Sequence, residues 1–116
     1  MIGDATDFRA RIIEALDLLS SSKKQLEYAL SLPNVSVSSE LVCLWFDDTY
    51  IPDDAFKRCF SNEELDAMAI FDNDFETRHK LLPENVGINE LLENENWQQI
   101  MHQARRMLVV LQPDQW

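Results

Sequence analysis

At 116 residues, with 46% apolar and 27% charged side chains, the chain has the size of one domain and the composition of a folded one. Disorder is excluded on composition, and so is any need for disulfide staples, since a domain this long removes about two thirds of its unfolded surface from water. A net charge of −11 argues against nucleic acid or an anionic membrane as a direct partner, because phosphate binding is driven by Lys and Arg displacing counterions.

The charge is concentrated. Residues 40 to 76 hold eleven of the twenty-one carboxylates and two of the ten cations, Lys57 and Arg58, so this third of the chain contributes −9. A one-signed field of this kind governs what a surface attracts, and it points to a basic protein partner. Met1-Ile2-Gly3-Asp4 has no basic stretch leading into an apolar one, and no apolar run approaches the about 18 residues of a membrane helix. A cytoplasmic location and a single helical domain over residues 1–116 are expected. Cys43 and Cys59 form no C-x-x-C pair and are expected as reduced, small core hydrophobes.

The spacing predicts an all-α fold, an irregular bundle of five or six helices over about 4–31, 39–49, 53–60, 62–82, 87–93 and 95–112. Pro33, Pro52, Pro83 and Pro113 fall between or beyond the periodic stretches, where a missing N–H does least harm. In the first unit Phe8, Ile12, Ala15, Leu16, Leu19, Leu26 and Leu30 keep one phase at about 3.6 residues per turn, with Asp4 or Thr6 as cap. Ser20-Ser21-Ser22 weakens its middle, and a break there would leave two helices.

The second unit is ambiguous, because residues 34–38 alternate like a strand and Leu41 to Phe46 is a continuous apolar run. A helix over 39–49 is expected, with Ser38 or Ser39 as cap, since no other strand is at hand to pair with it. Residues 53–60 begin with acids and continue with cations, as a short helix favours. Ser61-Asn62-Glu63-Glu64 has the pattern of a capping box, and Leu65, Met68, Phe71, Phe75, His79 and Leu82 follow one face from there to Pro83. Ile88, Leu91 and Leu92 are out of phase with Trp97, Ile100, Met101, Ala104, Leu108 and Leu111. That mismatch requires a break near residues 93–95, with Asn94 capping the final helix.

Few motifs carry chemistry. Two glycines, Gly3 and Gly87, are too few for either glycine-rich phosphate loop, and no cofactor is expected. Glu76-Thr77-Arg78-His79 places a carboxylate and an imidazole on one helical face, one turn beyond Asp72. A metal-dependent helical enzyme using Asp72, Glu76 and His79 is therefore the alternative reading. It lacks a second E-x-x-H, because Gln99 stands three residues before His102.

The stretch from Trp45 to Asp54 interleaves large aromatics with four aspartates, the combination of anchor and steering charge that protein interfaces use. It nominates Trp45, Asp47, Asp48, Tyr50, Asp53 and Asp54 as partner-binding residues of a small acidic interaction protein. An immunity protein or antitoxin, which presents carboxylates where a target expects phosphates, is one such class. The competing arrangement has Trp45 and Phe46 filling the core while the aspartates face water. A homodimer whose apolar stripes complete each other across a two-fold axis is compatible with both.

Overall fold

The computed structural model describes residues 5–32, 36–84 and 86–112. Asp4, Pro33, Asn34, Val35, Pro113 and Trp116 lie outside them. Among the described residues the chain is all-helical: α1 (Ala5–Ser20), α2 (Ser22–Leu30), α3 (Val37–Cys43) running into a π-helical turn (Leu44–Thr49), α4 (Asp54–Lys57), α5 (Asn62–His79), α6 (Ile88–Glu93) and α7 (Glu95–Leu111). Helix α7 lies at the centre, packed along both α1 and α5, while α6 rests on α2, α3 and α7. No described helix is long and apolar enough to cross a membrane.

The expected first helix is two. Ser21 leaves the helical path and caps α2, its Oγ accepting from the backbone N–H of Lys24 at 3.2 Å. Serine's capacity to bond nearby backbone makes it a poor interior residue and a good cap, so the break falls where the serines lie. The break also resets the phase. Leu26 and Leu30, assigned to the core stripe by periodicity, are 40% and 84% exposed, and Gln25 turns inward to complete burial.

Gln25 is satisfied there by three bonds. Its amide nitrogen donates to the carbonyls of Leu18 and Leu19 at 3.0 Å each, and its Oε1 accepts from the indole Nε1–H of Trp97 at 2.9 Å. The last carbonyls of a helix have no intrahelical partner, and Gln25 supplies one inside the core. Trp97 is itself fully buried and edge-on to Phe75 at 6.0 Å.

The other boundaries follow their caps. Ser36, rather than Ser38 or Ser39, caps α3, which therefore starts two residues earlier than the apolar run suggests. The carboxylate of Asp53 accepts from the N–H of Phe56 at 2.9 Å to open α4, a single turn where a longer helix is expected from residues 53–60. The capping box at Ser61 and Glu64 is complete. Helix α5 stops at His79, short of Leu82, and Asn94 ends α6 and caps α7 through the N–H groups of Asn96 and Trp97.

Glu64 does more than cap. Arg9 grips it with two bonds, Nη1 to Oε1 at 2.9 Å and Nη2 to Oε2 at 3.1 Å. The same guanidinium donates to the carbonyl of Leu111 at 3.2 Å and lies 5.3 Å from the centroid of the Phe60 ring. One side chain thus fastens the start of α1, the start of α5 and the end of α7. Burial works to raise the Glu64 carboxyl, but the bonds from Arg9 and from the Ser61 backbone outweigh it and hold the group below its usual range.

Two measurements check these links. Gln25→Leu leaves the Trp97 donor and the Leu19 carbonyl unpaired and should lower stability by about 2–3 kcal/mol, and Trp97→Phe by about 1–3 kcal/mol. The double variant should lose less than the sum of the two, as denaturant unfolding will show. Because the Glu64 pKa is depressed on folding, its stabilisation is present above the unfolded carboxyl pKa and vanishes as pH falls through the folded one. Glu64→Gln should therefore be less stable than the parent at neutral pH, by about 1–2 kcal/mol. The difference should close on acidification below about pH 4, followed by urea unfolding across pH.

Candidate functional site

Leu44 to Thr49 form a π-helical turn, in which bonding runs i to i+5 instead of i to i+4, ending with the N–H of Tyr50 donating to the carbonyl of Trp45 at 2.8 Å. The wider turn lays the ring of Tyr50 on that of Trp45, centroids 5.1 Å apart and planes within 7° of parallel. Such turns inside helices are frequent at functional sites.

This geometry removes Trp45 from the surface. The side chain is fully buried, stands edge-on to Phe71 at 4.9 Å, and donates its indole N–H to Asp72 Oδ1 at 2.9 Å. Phe46 is half-buried against Phe75 and His79, at 5.0 and 5.3 Å. Of the nominated aromatics only Tyr50 reaches solvent in part, and it too packs edge-on to the buried Phe56 at 5.7 Å. Burial, and then the charge of Asp72, push the Tyr50 phenol up, so it stays protonated. The aromatics hold the turn in place, and contact with a partner falls to what the turn carries outward.

What it carries outward is charge. Asp47, Asp48, Asp53 and Asp54 are all exposed. Asp47 and Asp48 share their surroundings with Glu40 from α3: the Cys43 thiol is pushed up by partial desolvation, then by hydrogen bonding to Asp47 and by the charges of Asp47, Glu40 and Asp48. The Tyr28 phenol on α2 is likewise raised by burial and then by Glu40 and Asp48. Asp53 and Asp54 open α4 beyond an extended link at Tyr50–Pro52, where the exposed Lys57 and Arg58 follow within four residues. The more uniformly negative part of the 40–76 segment is thus Glu40, Asp47 and Asp48.

A cleft of about 480 Å³ lies beside it, between α1, α2 and the π-helical turn. Ala15, Leu18 and Leu44 give it an apolar floor, Tyr28 a phenol, and Glu14, Asp17 and Asp48 its carboxylates, with Arg11 and Lys24 also on its wall. Lys24 pairs with Asp17. Sequence reasoning missed Glu14, Asp17, Tyr28 and Glu40, and no local signal marks them, because the fold alone brings residues 14–28 to residues 40–48.

Catalytic arrangements are poorly supplied. Cys43 is exposed rather than a core hydrophobe, and Cys59 is half-buried; both are free. Cys43 shares a second cleft of about 380 Å³ with His79, but a raised pKa keeps the thiol protonated and a weak nucleophile. The face of Asp72, Glu76 and His79 does not converge. Asp72 is turned inward to Trp45, whereas Glu76 is held by Lys80 at 3.0 Å and lies 3.8 Å from His79. Among the described residues no group of three or more His, Cys, Asp or Glu side chains could hold a metal ion.

This assigns Asp72 a structural role that can be measured. Asp72→Ala leaves the buried indole N–H of Trp45 without an acceptor and should cost about 1–3 kcal/mol, whereas Asp72→Asn keeps an acceptor oxygen and should cost less than about 1 kcal/mol. Divalent cations should not raise the melting temperature of the parent protein, as they would if these residues formed a site that binds the folded state.

Comparison with protein-family models, curated proteins and solved structures yields no match, so the functional reading rests on the chain's own charge and shape.

Proposed function

We propose that this protein binds a basic protein through the acidic surface built by Glu40, Asp47 and Asp48 and extended by Asp53 and Asp54. The adjoining cleft would receive a lysine or arginine side chain of the partner. The observation that carries the reading is that Asp47, Asp48, Asp53 and Asp54 all remain exposed around one turn. Arg9 reaches Glu64, Arg78 reaches Asp74, and Lys80 reaches Glu76, so these three cations are engaged by carboxylates of α5.

The cleft supports the same reading chemically. A long basic side chain has an apolar stem and a charged head, and Leu18 and Leu44 suit the stem as Glu14 and Asp48 suit the head. With Trp45 withdrawn, binding of this kind leans on steering and rim charge. Electrostatic complementarity of this sort acts first on the association rate and on partner choice. Masking the phosphate-binding surface of a nucleic-acid-processing protein, as an immunity protein or antitoxin does, is the kind of role such a face suits.

Copurification from the cells that make the protein should return a partner with a basic surface, whose association slows as salt rises. A variant with Asp47→Lys, Asp48→Lys and Asp54→Lys should slow capture by about tenfold or more. Asp53 is changed only to Asn, because asparagine can still cap α4 and keep the fold intact. A partner whose capture is indifferent to these four substitutions and to salt would overturn the proposal.

A further inference from the structure

Ile70 stands at the midpoint of α5 and is 73% exposed, although the neighbouring outward positions Glu63, Asp66, Asn73 and Thr77 are polar. Beside it a groove of about 430 Å³ runs between α5 and α7, floored by Ala67, Phe71, Met107 and Val110, with Asp74 and Arg106 also on its wall. Val109 and Val110 are 44% and 43% exposed. The two helices run antiparallel, since Arg78 near the end of α5 bonds Asn96 near the start of α7. An apolar knob therefore sits on the wall of an apolar groove, on a face separate from the acidic turn.

We infer that this α5/α7 face joins two copies of the chain about a two-fold axis near Ile70, each copy seating its Ile70 in the groove of the other. A two-fold interface must use one patch twice, with residue i meeting j and j meeting i. This face has what that requires: a projecting side chain and a hollow close together, with Arg106 on the groove and the exposed acids Glu63 and Asp66 on the outer side of α5, so that each Arg106 can meet an acid of the other copy.

Charge selects the location. Chains of net charge −11 repel, and they can approach only where the field is weak. On the outer faces of α5 and α7 the acids Glu63, Asp66 and Asp74 are set against Arg78 and Arg106, whereas Glu40, Asp47 and Asp48 gather around Cys43.

Size sets the strength. Two helices about 27 Å long with axes about 9 Å apart offer roughly 500 Å² in projection, so the pair falls at the small end of specific interfaces. The dimer should be reversible and of micromolar affinity.

Sedimentation velocity on the full chain, from about 1 µM to about 500 µM, should show the mass doubling and then stopping. The dimer should tighten between about 50 mM and about 500 mM salt, because screening relieves the repulsion of like net charges. That is the opposite of the salt effect expected for a basic partner, so each proposal can fail without the other. Ile70→Arg should stay monomeric throughout with an unchanged helical spectrum, and Ile70→Leu should dimerise as the parent does. Arg106→Asp should weaken association by about tenfold or more. A parent chain still monomeric at the highest concentration and salt overturns the inference. So does a dimer that survives Ile70→Arg, or growth beyond two copies.

Discussion

The hydrogen bond from the Trp97 indole to Gln25 is the point at which the architecture is decided. Two helical pairs, α1–α2 and α6–α7, are each interrupted by one capping residue, Ser21 in the first and Asn94 in the second. Gln25 lies four residues beyond the first interruption and Trp97 three beyond the second, and they meet in the core at 2.9 Å. A buried amide that also holds the carbonyls of Leu18 and Leu19 fixes the angle at which α2 leaves α1. A buried indole fixes where α7 begins. Polar groups taken from water cost free energy unless every bond is made, and here no buried side-chain N or O among the described residues lacks a partner.

With α7 placed, α1 and α5 close on either side of it, and the remaining aromatic density falls to the segment between α3 and α5. Trp45, Tyr50, Phe56, Phe60, Phe71 and Phe75 form a chain of ring contacts 4.8 to 5.7 Å apart. An α-helical register over residues 44–49 would not bring Tyr50 over Trp45, whereas the i to i+5 turn does. Its consequence is a division of labour inside ten residues: the rings of the 45–54 stretch are used for cohesion, and its carboxylates, which cannot enter such a core unpaired, are all displayed. The acidic surface is in this sense a by-product of how the aromatics pack, and the same packing keeps it in a fixed shape.

Much of the fold was legible. The capping box at Ser61, the cap at Asn94, the phase change before Trp97 and the weakness at the serine run all appear in the structure, because each is a local effect written in neighbouring residues. The misses have a common origin as well. Leu26 and Leu30 looked like core by extending a phase across Ser21, and one extra residue of turn invalidates that extension. The π-helical turn has no composition of its own, so Trp45 could not be assigned inward or outward from sequence. The cleft was illegible for a third reason: Glu14, Asp17, Tyr28 and Asp48 are separated by up to 34 residues and are joined only by tertiary packing. Charge clustering could be read along the chain, but the hollow beside it could not.

The placement of cations bears on whether the acidity is incidental. Like charges gathered on a compact domain weaken it by self-repulsion, and a chain with ten cations had the means to offset the cluster. Two of them serve elsewhere: Arg9 is committed to Glu64 and the carbonyl of Leu111, and Arg78 to Asp74 and Asn96. Both are places where helices are pinned to one another, and there a charge-assisted bond does more for cohesion than at an open surface. Glu40, Asp47 and Asp48 make no comparable link between helices: they surround the exposed Cys43, Glu40 and Asp48 add to the effect of burial in raising the Tyr28 phenol, and Asp48 lines an open cleft. On the proposed reading, a surface held from beneath by stacked rings has its physical rationale in what it meets outside the chain.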